Sequence, residues 1–439
     1  MVDDSAPLGL TEMRAGFAPR LAELAFLAFL ALIFIGLQPF AIRDPAALAA
    51  GESGFGGAGD VMRQVCYAGV FALIVFAAMR KQGLNAIAAV PPLLALLLAW
   101  CVLSSAWSPE AGVTLRRAAL ASVVVASVML SVSTLGIARA LQLLRWVLAF
   151  VLIVNWLSIP LVHQAVHLPG EIDPQLVGDW RGLYFHKNIA GGVCAITAIV
   201  FLFSAWDSRR WIDGGFFAAA VVFTVMTRSK SSLALLPVAL AAGIVYRLAW
   251  RRALDRLIVT VLAGLVLVLG AAFVAVEHTT IAQLLEDPAE FTGRAAIWQA
   301  ELAFIRDHPY LGAGFGSFAD TGALSPLHNY VSSAWVGGVA HGHNAYLQLF
   351  VTVGSVGFAL AIAGMIVVPL IAFWREDGSD VAQKSMLFAI FVFMALHNFL
   401  ESDFLEGDSA AWVAFLVMLA ALRMSRRPIP DDEAVAAAP

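Results

Sequence analysis

Long uncharged apolar runs alternate with short polar breaks along nearly the whole chain. Leu257–Val276 is twenty residues without a charge and Ala345–Trp374 is thirty, enough for a helix to cross a hydrocarbon core of about 30 Å. Backbone groups in lipid must be satisfied within their own segment, so such runs are helices. About twelve spans are expected, starting near residues 21, 62, 85, 118, 142, 188, 211, 231, 257, 345, 385 and 409. The seventh and twelfth are the weakest, since Gly214–Thr227 and Ser409–Leu422 have only fourteen uncharged residues each. The pattern predicts an all-α polytopic membrane protein. It divides into a leading segment 1–20, nine spans over 21–276, a large polar loop 277–344 ahead of the tenth span, three more spans over 345–424, and a short disordered tail 425–439.

Composition agrees with this class. The chain is 61% hydrophobic and 13% charged, where soluble domains carry about 25% charged residues. The acidic first twenty residues lead into a full-length span and do not read as a cleaved signal peptide. A net charge of −4 without a basic tract gives no reason to expect a nucleic-acid partner. Cys66, Cys101 and Cys194 fall in separate spans, with neither metal spacing nor a disulfide framework.

Orientation follows from the excess of Lys and Arg in cytoplasmic loops. With a cytoplasmic N-terminus, seventeen of the 27 basic residues lie inside and ten outside, the ten being spread over more loop sequence. Both termini are then cytoplasmic and the loop 277–344 faces away from the cytoplasm. Eight of the nine histidines lie at or beyond that outer face, and His397 sits near the outer end of its span. None lies in a cytoplasmic loop, which argues against a cytosolic nucleotide site.

Three outer segments carry the candidate chemistry. Trp180–Asn188 and the tight turn Thr227–Ser232 bring up Arg181, Lys187, Arg228 and Lys230, and the long loop adds Arg294. Single cations at span ends snorkel to lipid head groups. Five on the disfavoured side call for a shared use, and a diphosphate suits guanidinium forks and lysine point charges. Gly293–Arg306 predicts an amphipathic helix with Trp298, Leu302 and Ile305 on one stripe and Arg294 one turn before Trp298. Leu311–Phe318 is a glycine-rich turn with no strand before it, so it is not a nucleotide loop. His341, His343 and Asn344 lie where the loop enters a span. Imidazole, with an ordinary pKa of about 6.5, suits proton removal from a sugar hydroxyl. The His-x-His spacing lacks the Cys or acidic ligands of a metal site, so no metal is expected. In the last outer turn, Glu401 is placed to orient a histidine or bind a sugar hydroxyl.

Taken in order, Trp107-Ser-Pro, RGLYFHKNIAGG (181–192), TRSKSSL (227–233), GRAAIW (293–298), HPYLGAGFGSF (308–318), HGHNAYLQL (341–349) and HNFLES (397–402) resemble the O-antigen ligase and polymerase superfamily. The likeness is greatest to its ExoQ-like exopolysaccharide polymerase branch and covers about residues 100–415. The resemblance implies a GT-C-like glycosyltransferase of the bacterial inner membrane, acting at the periplasmic face on undecaprenyl-diphosphate-linked glycans. It implies no cofactor, His343 acting on the acceptor, and a donor diphosphate held by Arg181, Lys230 and Arg294. Ligase members tend to have Ser-Arg-Gly where this chain has Ser-Lys-Ser at 229–231, a departure toward the polymerase branch. The expected site is thus catalytic His343 and Glu401, donor-binding Arg181, Lys187, Arg228, Lys230 and Arg294, and acceptor-binding His341, Asn344 and Trp298. Polymerisation of repeat units is the first reading and ligation of a finished glycan to lipid A core the second. A transporter or flippase is the third, disfavoured because Glu23 is the clearest intramembrane acid and no internal repeat is evident.

Overall fold

The computed structural model describes residues 8–41, 61–171, 174–250, 294–319, 324–331, 342–375 and 380–425, together with 252, 254–258, 260–261, 265 and 321. Most of the expected ninth span, much of the large loop including His341, and the tail from 426 lie outside the described residues. The helices are α1 Leu8–Phe34, α2 Val61–Gln82, α3 Pro92–Leu103, α4 Ala111–Leu135, α5 Ile137–Leu161, α6 Lys187–Ser208, α7 Trp211–Met226 and α8 Lys230–Ala249. They continue with α9 Arg294–Asp307, α10 Ala345–Ile362, α11 Val368–Trp374, α12 Val381–His397 and α13 Ala410–Met424. Among the described residues, six helical stretches are long and apolar enough to cross a membrane and none is a strand. The molecule is an all-α multi-span membrane protein.

The core centres on α6 and α13. Every residue of α13 from Ala410 to Leu422 is buried, and it packs on α4, α6 and α12. A helix shielded on all sides meets protein rather than lipid, so its apolar run need not match the bilayer. That accounts for the weak signal at α13, whereas α7 keeps Trp211, Ile212, Val222 and Val225 exposed. The third expected span is different. Residues 83–89 form a 3₁₀ turn, the chain breaks at Val90-Pro91, and α3 has only twelve residues, about 18 Å. Pro91 and Pro92 cause the break, because proline has no N–H to donate and restricts the residue before it.

The tenth span is also interrupted. Gly354 sits at φ 63° and ψ −173° within α10. The carbonyls of Val351 and Thr352 accept hydrogen bonds from Ala313 N (2.8 Å) and Gly314 N (2.9 Å), and Ser355 N donates to the Pro309 carbonyl at 3.0 Å. Trp100 Nε1 donates to the Val353 carbonyl at 2.9 Å. The freed backbone groups of a broken membrane helix are thereby satisfied by the glycine-rich turn 311–318 and by α3. Those glycines serve close packing: a Cβ at Gly314 would lie 2.6 Å from Ser108 Cβ, and one at Gly354 would collide with the Tyr310 carbonyl. Gly354→Ala is expected to lower stability by about 2 kcal/mol or more through backbone strain and overpacking. Thermal unfolding in detergent reads this directly, and an unchanged midpoint would mean the turn yields freely.

Candidate functional site

Four segments converge at one end of the bundle, and the local sequence explains how. His186 caps α6, its Nδ1 accepting the Asn188 N–H at 3.2 Å, which aims Lys187 and Asn188 out of the first turn. Gly191, one turn in, lets the 227–232 turn approach: a Cβ there would lie 2.7 Å from Ser229 Cβ. After α12, the Asn398 side-chain oxygen accepts the N–H groups of Asp403 (2.9 Å) and Phe404 (3.0 Å) and folds 398–404 into a tight turn. The start of α10 docks on that turn, Ala345 N donating to the carbonyls of Asn398 and Glu401 at 2.9 and 3.1 Å. His343, two residues before α10 and at φ 51°, is thereby set against Glu401.

The resulting cluster is centred on one carboxylate. Glu401 Oε2 lies 3.0 Å from His343 Nδ1. Its Oε1 accepts from Asn188 Nδ2 at 2.7 Å, Arg294 Nη2 at 3.3 Å and Ser231 Oγ at 3.5 Å. Arg294 also donates through Nη1 to the Leu400 carbonyl at 2.5 Å. The His343 side chain is 25% exposed and that of Glu401 10%, so the imidazole is the more accessible of the pair. Burial alone would push the Glu401 carboxyl up. The hydrogen bond with His343 and the charges of His343, Arg294 and His397 outweigh burial and hold it well below the usual carboxylate range. Behind this cluster, buried His397 pairs with Asp403 at 2.9 Å and with Ser232 Oγ at 3.3 Å.

The remaining expected cations lie around a second pair of acids. Arg181 is 1% exposed and turned inward, donating to the carbonyls of Gln164 (2.6 Å) and Phe185 (3.1 Å) and pairing with Glu171 at 3.3 Å. It fastens the 163–186 segment. His167 belongs to the same fastening, with Nδ1 2.6 Å from Glu171 and Nε2 accepting the Lys187 N–H at 3.2 Å. Burial holds its imidazole below the ordinary value despite Glu171. Buried Asp179 takes both Lys187 Nζ at 2.6 Å and Arg228 Nη1 at 3.2 Å, although the Arg228 side chain is 69% exposed. Lys230, in the first turn of α8 beside Ser231, is exposed.

Two expected acceptor contacts have structural work in the fold. Asn344 is the N-cap of α10, its side-chain oxygen accepting from Tyr346 N and Leu347 N, both at 3.1 Å. Trp298 Nε1 donates to the Gly342 carbonyl at 2.7 Å. The stripe expected on α9 is turned by about one residue: Ile297, Glu301 and Phe304 are buried while Leu302 is exposed. An acid on the buried face masked the true periodicity. Sequence reasoning also passed over Asn188, Ser231, Asp179 and Glu171. The first two stood inside quoted motifs, and nothing local marked the two acids as cation partners.

The family model described as O-antigen ligase matches residues 215–362. That stretch holds Lys230, Arg294 and His343, and it stops short of Asn188 on one side and Glu401 on the other. No curated protein matches the chain.

Proposed function

We propose, from the match of residues 215–362 to the family model described as O-antigen ligase, that this chain is a membrane glycosyltransferase of the O-antigen ligase and polymerase type, an inverting enzyme using an undecaprenyl-diphosphate-linked oligosaccharide. The observation that carries this reading is the His343–Glu401 pair at 3.0 Å with Arg294 on the same carboxylate. Glu401 engages Nδ1, which fixes the tautomer so that Nε2 is the proton acceptor. In the transfer, the acceptor hydroxyl gives its proton to His343 Nε2 and its oxygen bonds to the anomeric carbon. The bond from that carbon to the diphosphate oxygen breaks, and undecaprenyl diphosphate leaves with the electron pair. Arg294 and Lys230 stabilise its charge as it develops. Lys187 and Arg228 complete the cationic rim with their charge moderated by Asp179, and Arg181 acts as a fastener of that rim. A diphosphate is already a good leaving group, so this scheme requires no cofactor.

Repeat-unit polymerisation of an exopolysaccharide or O-antigen at the periplasmic face of the bacterial inner membrane is the leading form. Lys230 supports it, standing where ligase members tend to have arginine. Ligation to lipid A core is the second form, favoured by the description of the matching family model. Sizing the glycan on undecaprenyl diphosphate and on lipid A in a strain lacking the protein separates the two. Single repeat units left on the carrier support polymerisation. Full-length polymer on the carrier with bare core supports ligation. Repeat units trapped on the cytoplasmic leaflet would overturn both.

A further inference from the structure

Glu301 is the least expected group near the site. It is 1% exposed on α9, and its Oε2 has no hydrogen-bond partner among the described residues. Leaving a carboxyl buried and unsatisfied is costly, whereas an apolar side chain of similar volume would carry no such cost. Its surroundings point to a use. A Cβ built on Gly342 would collide with the Glu301 carboxyl, and all three of its nearest atoms belong to that group. One turn earlier on the same helix, Trp298 holds the Gly342 carbonyl at 2.7 Å. Two side chains of α9 therefore bear on the single residue that precedes His343.

We propose that Glu301 is a positioning residue for His343: as a neutral acid it supports Gly342 from beneath and, with Trp298, fixes the backbone from which the imidazole projects. This rests on the reading of His343 as the acceptor base. The elements packed against α9 are α10 and the turn Pro326–Asn329. The titratable groups around this junction are His343, His328, Tyr346 and Glu401, with Arg294, Arg306 and Asp307 on α9 itself and His308 just after it. Asp307 is occupied by the Tyr330 hydroxyl at 2.8 Å. None of these acts on Glu301, whose carboxyl is pushed up to about 8 by burial alone. Ionisation above that pH would place an unpaired charge in a dry site beneath Gly342 and drive the support out of register.

The test uses full-length protein in proteoliposomes, with undecaprenyl-diphosphate oligosaccharide extracted from the deletion strain as donor. Glu301→Gln keeps the shape of the neutral acid and cannot ionise. It should hold wild-type kcat near neutral pH and move the alkaline decline upward by about one pH unit or more. Gly342→Ala should lower kcat by about 10²-fold at little-changed KM, and Glu301→Ala in the same chain should restore most of it by making room. Coincident alkaline limbs for wild type and Glu301→Gln would overturn the proposal, as would a double variant no better than Gly342→Ala. Thermal midpoints run alongside: Glu301→Gln removes only a buried ionisable group and should unfold no earlier than wild type. His343→Ala is the control for the underlying reading, because full transfer by that variant removes the base itself whatever the Glu301 variants do.

Discussion

Replacing His343 with alanine should reduce glycosyl transfer by about 10²–10⁴-fold, the usual worth of a positioned general base, while leaving the protein folded. The second half of that statement is as specific as the first. Glu401 loses one partner but keeps Asn188 at 2.7 Å, Arg294 at 3.3 Å and Ser231 at 3.5 Å, so its buried charge stays paired. Alanine at 343 faces the same positive φ that histidine does, so the backbone gains no new strain. Single-turnover transfer in proteoliposomes measures the rate, and a thermal midpoint in detergent shows that the fold survives. Transfer at the wild-type rate would remove His343 from the chemistry.

Glu401→Gln should be nearly as damaging by a different route. The glutamine amide can donate to Nδ1, which would leave the proton on Nε2, where the acceptor hydroxyl needs a base. The imidazolium formed in the reaction would also lose its counter-charge. A loss of about 10²–10⁴-fold is expected, in the range seen when a carboxylate orienting a catalytic histidine becomes an amide. Glu401→Ala goes further, because removing one partner of a buried ion pair costs about 3–5 kcal/mol. The folded carboxyl titrates at about 2, below an unfolded value of about 4.3. Its contribution to stability is therefore complete above pH 4.3 and fades as pH falls toward 2. Glu401→Gln should flatten that part of the stability–pH curve. A variant with wild-type kcat and an unchanged acid limb would show that Glu401 neither orients nor anchors.

Much of the architecture was legible because lipid imposes a length rule that protein does not. Ala111–Leu135 and Ile137–Leu161 stand out as spans, being long and partly lipid-facing. The same rule gave only a weak signal for α13, which is surrounded by helices, and it overran the Pro91-Pro92 break. In the site, motif order placed His343, Glu401 and Arg294 at one end of the chain's topology, and the fold brings them onto one carboxylate. Trp298 and Asn344 looked like sugar contacts because aromatic and amide groups at a boundary suit sugars. Each also satisfies a backbone group that has no signature in sequence, the Gly342 carbonyl and the first turn of α10. The cations divided for a similar reason. Asp179 and Glu171 lie in a loop whose folding back depends on Gly182 at φ 57° and on Asn155 from the preceding helix, whose side-chain oxygen accepts the Leu183 N–H at 2.9 Å. Nothing within a few residues of Arg181 announces that it will be buried.

The interruption at Gly354 also bears on how the protein is made. Its open carbonyls are met by Ala313 and Gly314, and its free N–H by Pro309, all of which leave the ribosome before α10 does. Trp100 and Ser108, which complete the clasp, are older still in the growing chain. A broken apolar helix entering lipid without partners would expose polar backbone to hydrocarbon. Here the partners are synthesised first, so the tenth span can be sealed on arrival. Order along the gene thus serves as an assembly instruction: moving the 309–316 segment to follow α10 would preserve every contact on paper and remove the schedule on which they form.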